Sequence, residues 1–304
     1  MKYLGVLVWM IGCSFSGFSQ PGIQHSWLAC GHFNRAEAFE SKYVDARNVD
    51  VWLPAGYDPN TRYPVLYMHD GQMLFDSSYN WNHQEWGVDE TMCRLIAEKK
   101  IRECIVVGIW NNGTKRAAEY FPEKALEFMS PEGKKMLSPR TNDQPLADNY
   151  LKFIVFELKP EIDKVLPTLT DPANTFIAGS SMGGLISLYA ICEYPDVFGG
   201  AACLSTHWPG VFTNDHNPIP DAILKYMELH LPAPKNHKIY FDHGTETIDS
   251  LYGIWQVKVD NVMQKKGFKG KSWVTRVFPG ENHSEWAWNK RLHIPLEFLL
   301  KTKN

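Results

Sequence analysis

The chain has 304 residues, 44% of them hydrophobic and 21% charged, enough apolar material for one large α/β domain and too much for a disordered chain. A formal net charge of −3 leaves no basic footprint, which excludes nucleic acid and anionic membrane surfaces as expected partners. The 11 tryptophans and 13 tyrosines suit core packing as well as stacking surfaces for a sugar or aryl ligand.

Residues 1–19 read as an export signal: Lys2, an apolar run from Leu4 to Ile11, and a small-x-small cleavage site at Gly17-Phe18-Ser19. That run is too short to span a bilayer. Met10-Ile11-Gly12-Cys13 resembles a lipobox whose Cys13 would carry a lipid anchor, but free export to the periplasm or medium is the preferred reading. The mature domain is then 20–304, and no later segment reads as a membrane span. Cysteines stand at 13, 30, 93, 104, 192 and 203, so an odd number survives cleavage and a full disulfide framework is not expected. Cys192 and Cys203 lie in apolar runs and read as buried thiols; if one bridge forms in an oxidising compartment, Cys93 to Cys104 is the pairing considered. No C-x-x-C, H-E-x-x-H or EF-hand spacing occurs, so no metal is indicated.

From Gln20 to Phe39 no clear period emerges, and an extension that partly pairs as a strand is expected. Asn48 to Leu53 alternates as a half-buried strand and ends in the turn cluster Pro54 to Pro59, which predicts an antiparallel opening hairpin. Tyr63 to Met68 is a continuous apolar run, as in a strand covered on both faces. It delivers His69-Asp70-Gly71-Gln72 at its carboxyl end, where open α/β sheets bind ligands. Trp86 to Lys99 has helical spacing, and Cys104 to Trp110 reads as another buried strand. Ala117 to Pro145 has no steady period and is expected as a surface excursion or lid. Ala147 to Val165 predicts a long amphipathic helix kinked or broken at Pro160.

Asn174 to Ala178 then leads into Gly179-Ser180-Ser181-Met182-Gly183-Gly184, and a helix-compatible run follows. This is the strand, sharp turn and helix of a G-x-S-x-G nucleophile elbow, with Ser181 at its tip. Phe198 to Leu204 is a strand ending in Ser205-Thr206-His207-Trp208, which makes His207 and Trp208 substrate-pocket candidates beside their reading as packed core residues. Lys238 to Asp242 is a strand leading to Glu246 and Asp249, Leu251 to Lys266 reads as a helix, and Ser272 to Phe278 is a strand ending at His283. The alternation of β and α elements predicts a single domain with a doubly wound, mostly parallel sheet.

A serine hydroxyl is a weak nucleophile, so Ser181 needs a base and the base an orienting acid. His283 follows the last strand, as the order Ser, acid, His requires. Asp249 is the preferred acid, with Glu246 as the alternative. The Met182 backbone N–H, at a helix start, and the Gln72 N–H are the expected oxyanion donors.

The chain resembles the Putative esterase family of α/β-hydrolases, which contains enterochelin, feruloyl and acetyl xylan esterases, S-formylglutathione hydrolase and mycolyltransferases. The resemblance rests on His69 to Asp76, Val107 to Asn111 with Arg116, Glu119 to Pro122, Glu157 to Pro160, the elbow Gly179 to Gly184, and Gly280 to Glu285. It implies an α/β-hydrolase fold and a serine esterase that needs no cofactor, with Ser181 as nucleophile, His283 as base, and Gln72 and Met182 as oxyanion hole. The Asp249 loop is longer than in shorter family versions, and some siderophore esterases work with a Ser-His pair, so the acid stays open here. The expected substrate is a small-molecule or carbohydrate ester, such as a polysaccharide acyl or feruloyl ester or a siderophore ester. The alternatives are an acyltransferase of the same fold and a non-catalytic carbohydrate-binding module.

Overall fold

The computed structural model describes residues 25–302; the export signal at 1–19 and Cys13 lie outside the described residues. Eight strands form one sheet in the order β1-β2-β4-β3-β5-β6-β7-β8. They are β1 (His32–Phe39), β2 (Arg47–Leu53), β3 (Val65–His69), β4 (Ile105–Ile109), β5 (Thr175–Ser180), β6 (Gly200–Leu204), β7 (Lys238–Gly244) and β8 (Trp273–Phe278). Pairing is antiparallel between β1 and β2 and between β2 and β4, and parallel from β4 onward. The antiparallel opening is therefore made with β1, which precedes β2. The strand after the Pro54 to Pro59 turn crosses to the far side of β4.

The continuous apolar runs form the central strands because both faces are covered. Along β3, Val65 and Tyr67 enter one core while Leu66 and Met68 enter the other. The helices divide between these faces. They are α1 (Val88–Ala97), α2 (Arg116–Tyr120), α3 (Pro131–Thr141), α4 (Ala147–Phe153), α5 (Lys159–Val165), α6 (Met182–Glu193), α7 (Ile219–His230), α8 (Gly253–Lys265), α9 (Glu285–Arg291) and α10 (His293–Leu300). Residues of α1, α9 and α10 pack with Leu66 and Met68, whereas α2 through α8 supply the opposite core.

Ala117 to Pro145 departs from the expected surface excursion. It is largely helical, and Ala118, Glu119, Tyr120, Phe121 and Ala125 are buried. The reason is a sealed ion pair: Arg47 of β2 donates two hydrogen bonds to Glu119, at 2.9 and 2.7 Å. Such a pair destabilises the fold strongly when one partner is removed, because a buried charge is left alone. The helix read over Ala147 to Val165 is α4 and α5 joined by a π-helical turn, Ile154–Leu158, which accommodates Pro160 without ending the element.

The cysteine pairing is corrected. Cys93 bonds to Cys30, while Cys104, Cys192 and Cys203 are free and buried. Cys104 lies against β4, where burial pushes its thiol up to about 12. Sequence spacing could not reveal that the segment before β1 folds back over α1.

Candidate active site

The loop between β5 and α6 must turn within one residue. Ser181 takes φ 59° and ψ −123°, and its side chain makes no capping bond to the helix it precedes. A Cβ on Gly179 would lie 2.9 Å from the Gly183 carbonyl carbon and oxygen, and one on Gly184 would lie 2.7 Å from Thr206 Oγ1. The glycines are thus required by backbone contact as well as by conformation. The turn is held from below by bonds from Ser181 N to Leu204 O, 3.0 Å, and from His207 N to Ser181 O, 3.2 Å.

The loops after β7 and β8 bring Asp249 to His283. Thr245 N and Glu246 N both donate to Glu281 O at 3.0 Å, and His283 N donates to Thr247 Oγ1 at 3.0 Å. Gly244 Cα passes so close that an added Cβ would lie 2.1 Å from Glu281 O. Within this strap, His283 Nδ1 lies 2.5 Å from Asp249 Oδ1. An ionised carboxylate only accepts, so Nδ1 carries the proton and the lone pair falls on Nε2. The other oxygen, Oδ2, accepts from Ser205 Oγ and from Gly244 N, each at 2.6 Å. Burial pushes the Asp249 carboxyl up, but the His283 hydrogen bond and charge, aided by Ser205 and Gly244, more than offset it and hold it below the ordinary carboxylate value. Glu246 is exposed and its carboxylate meets Thr245 Oγ1 at 3.4 Å. Geometry therefore favours Asp249 over Glu246 as the partner of His283.

Four residues around this cluster escaped the sequence reading. Ser205 Oγ accepts from Trp288 Nε1 at 3.0 Å and from Arg291 Nη2 at 2.9 Å. Trp288 and Arg291 stand on α9 at helical spacing from Ser284, a signal that could have found them. Tyr252 Oη bonds to His207 Nδ1 at 2.9 Å, and its side chain lies near enough to Ser181 to feel it electrostatically. Its ring stands edge-on to that of His283, centroids 5.8 Å apart. Among the described residues no hydrogen bond joins Ser181 directly to His283; Tyr252 lies between them, its ring against the imidazole and its side chain near Ser181. Catalytic hydrogen bonds of this kind commonly tighten only when a substrate is bound.

On the other side of the elbow, Asp70 and Arg116 join through two bonds of 2.7 Å, and Asn111 Nδ2 donates to Asp70 Oδ1 at 2.7 Å. This clamp ties the β3 loop to the start of α2 and rests against Gly183, whose Cβ position is 3.4 Å from Asp70 Oδ2. His69 donates to or accepts from Tyr150 Oη at 2.8 Å, and burial drives its pKa down to about 3, so the ring is neutral. The N–H groups of Gln72 and Met182 donate to no other group among the described residues. Both are therefore available to a ligand oxygen. Beside Gln72 lies a cavity of about 400 Å³ walled by Trp27, Phe33, Phe75 and Trp110, with the Arg35–Asp50 pair on its rim.

Both pocket candidates are buried to the same degree, each 1% exposed. His207 is buried against Tyr252 and Phe212. Trp208 is 1% exposed, donates to Gln256 Oε1 at 3.0 Å and packs on Phe241 within the core; it is corrected from pocket wall to core residue. Among the described residues no cluster of potential ligands for a metal ion occurs, and no helix is long and apolar enough to cross a membrane.

Residues 41–297 match the family described as Putative esterase, and the chain belongs to that family. It is 26% identical over 262 residues to the uncharacterized protein YbbA of Bacillus subtilis (strain 168), covering 83% of this chain and 92% of that protein. It is 29% identical over 267 residues to an endo-1,4-beta-xylanase/feruloyl esterase of Xylanibacter ruminicola, covering 84% of this chain and 29% of that longer protein. Among solved structures, a ferulic acid esterase aligns with a TM-score of 0.64 at 19% identity, over 89% of this chain and 98% of that one. An enterochelin esterase from Shigella flexneri aligns with a TM-score of 0.64 at 17% identity, over 93% of this chain and 60% of that one. The expected single-domain α/β-hydrolase fold is present, and family membership makes the chain a carboxylic-ester hydrolase.

Proposed function

We propose that this hydrolase is an exported serine esterase working through Ser181, His283 and Asp249. One observation carries the reading: a serine held in left-handed backbone on the β5 turn and an Asp249–His283 pair built by the β7 and β8 loops all follow the carboxyl ends of parallel strands of one sheet. In the proposed mechanism, His283 Nε2 takes the Ser181 proton while Oγ attacks the ester carbonyl carbon. The carbonyl electron pair moves onto oxygen, and the N–H groups of Gln72 and Met182 stabilise that oxyanion. Collapse expels the alcohol, which takes the proton from His283. Water then repeats the sequence on the acyl-enzyme and releases the acid. Asp249 fixes the imidazole tautomer and stabilises the imidazolium formed in each half-reaction.

The Cys30–Cys93 disulfide supports export, because such bonds persist in oxidising compartments and are rare in the cytosol. For the substrate, the aromatic cavity beside Gln72 favours an ester with an aryl or saccharide portion. The feruloyl and enterochelin esterases among the similar proteins make feruloyl-polysaccharide and siderophore esters the first candidates. The test is hydrolysis of p-nitrophenyl acetate and methyl ferulate by the mature chain and by Ser181→Ala. Turnover of either ester that disappears in the variant is the expected result. Equal turnover in both proteins would refute Ser181 as nucleophile.

A further inference from the structure

The segment before β1 is fixed by three bonds: the Cys30–Cys93 disulfide, Ala29 N donating to Asp89 Oδ2 at 2.7 Å, and Trp52 Nε1 donating to Cys30 O at 2.9 Å. Its rings continue into those of the sheet and the β3 loop. Trp27 stands edge-on to Phe33 with centroids 5.0 Å apart, and Phe33 edge-on to Phe75 at 5.7 Å. These rings wall the cavity of about 400 Å³ beside Gln72, a size within the ~300–1,000 Å³ of small-molecule pockets.

The polar part of the lining is equally fixed. Asp50 of β2, 1% exposed, accepts from Arg35 Nε at 2.6 Å and Nη2 at 3.0 Å, and from Trp110 Nε1 at 2.7 Å. The guanidinium is thereby held 4.7 Å from the centroid of a Trp110 ring, with the Arg35 side chain 30% exposed. Gln72 links the cavity to the elbow. It lines the cavity and its Oε1 accepts from Asn111 N at 3.2 Å, while Asp70 of the same loop has Oδ2 3.4 Å from the Cβ position of Gly183.

This lining selects among ligands. A slot for a bare aryl group needs few polar groups, but here Asn34, Glu37 and Asp76 line the cavity beside the Arg35–Asp50 pair. An anion is disfavoured, because the carboxylates of Glu37, Asp50 and Asp76 outnumber the guanidinium of Arg35. Rings and fixed polar groups in a single cavity suit a ligand with an apolar C–H face and a rim of hydroxyls, each able to donate and to accept. A neutral saccharide has both.

We infer that this cavity is a subsite for a neutral saccharide unit, with Trp27 and Trp110 as its stacking surfaces and the Arg35–Asp50 pair as the partner of its hydroxyls. The inference rests on the serine esterase reading only in making that unit part of the substrate; binding itself does not depend on it. The disulfide and the ion pair hold the lining in place before a ligand arrives, so little ordering cost remains.

The test measures, by calorimetry on Ser181→Ala protein, the binding of xylotriose, cellotriose and mannotriose, with trigalacturonic acid as an anionic saccharide and methyl ferulate as an aryl ester without sugar. At least one neutral trisaccharide is expected to bind more tightly than either control. Its Kd should rise by about threefold to tenfold in Trp27→Ala, from loss of one stacked ring. It should rise also in Arg35→Lys, which keeps a cation beside Asp50 without the planar fork. Arg35→Lys carries the test if Trp27→Ala does not fold. No binding of any neutral trisaccharide, a Kd left unchanged in a folded variant of either residue, or tighter binding of trigalacturonic acid or methyl ferulate would overturn the subsite. Hydrolysis of p-nitrophenyl acetate by protein with Ser181 intact should be unaltered by either substitution; its absence from the parent would count against the serine esterase reading and leave the binding result standing.

Discussion

The Asp249 carboxylate gives one oxygen to His283 Nδ1 at 2.5 Å while its other oxygen is held by Ser205 and Gly244. Asp249 therefore cannot turn away from the imidazole without breaking two further bonds. Asp249→Asn keeps the shape but offers an amide that can favour the wrong imidazole tautomer, and kcat is expected to fall by about 10⁴. Glu246→Gln, at an exposed side chain, should leave kcat within about twofold. Steady-state kinetics on one ester decides between them; a large loss in the Glu246 variant and a small one in the Asp249 variant would reverse the assignment.

Ser181 at φ 59° and ψ −123° occupies backbone space that suits glycine. Strain of this kind costs about 1–3 kcal/mol. Both Ser181→Gly and Ser181→Ala should be inactive, but the glycine variant should be the more stable by about 1 kcal/mol. Urea unfolding of the two proteins measures this directly. Equal midpoints would mean that the elbow stores no strain at this residue.

Asp89 is fully buried in α1, where its Oδ2 accepts from Ala29 N at 2.7 Å. Burial, reinforced by Glu90 and opposed by the Ala29 bond, pushes its carboxyl up to about 7, against about 3.9 in an unfolded chain. Between those values the folded state holds a proton that the unfolded state has lost. Stability from this group is thus complete below about pH 4 and declines as pH rises through 7. Asp89→Asn, which keeps an acceptor for Ala29, should gain in Tm relative to the parent between pH 5 and pH 8. A Tm difference that is constant or shrinks over that range would contradict the sign.

The Cys30–Cys93 bond closes a loop across a sequence separation of 63 residues. Disulfides of this reach stabilise by about 2–4 kcal/mol, so Cys30→Ala/Cys93→Ala should lower the unfolding free energy by that amount. Added reductant should lower the Tm of the parent and leave that of the double variant unmoved. Insensitivity of the parent to reductant would show that the bond is absent from the native protein in solution.

Ser181 and His283 were legible because local sequence creates their geometry: glycine spacing makes the elbow, and each residue follows a strand that reads clearly. Asp249 was legible as a choice within one loop, but its preference over Glu246 depends on Ser205 and Gly244, which no spacing reveals. Tyr252 stayed hidden for a different reason: it ends the loop after β7, and only the fold brings it against His207 and His283. The burial of Ala118 to Phe121 was hidden because that segment has no period and is tied down by the Arg47–Glu119 pair, 72 residues apart in sequence. Trp208 misled because the residue after a strand can turn into the core as readily as into the cleft. The partner of Cys93 was missed because disulfide connectivity depends on the folded path of the chain.

The most direct test of the central claim is mass spectrometry of the folded chain after reaction with a fluorophosphonate, which traps an activated serine through phosphorus. The expected result is one adduct per chain, mapped to Ser181 and formed far more slowly in His283→Ala. Labelling at another serine, or no labelling of a folded protein that hydrolyses esters, would contradict the account.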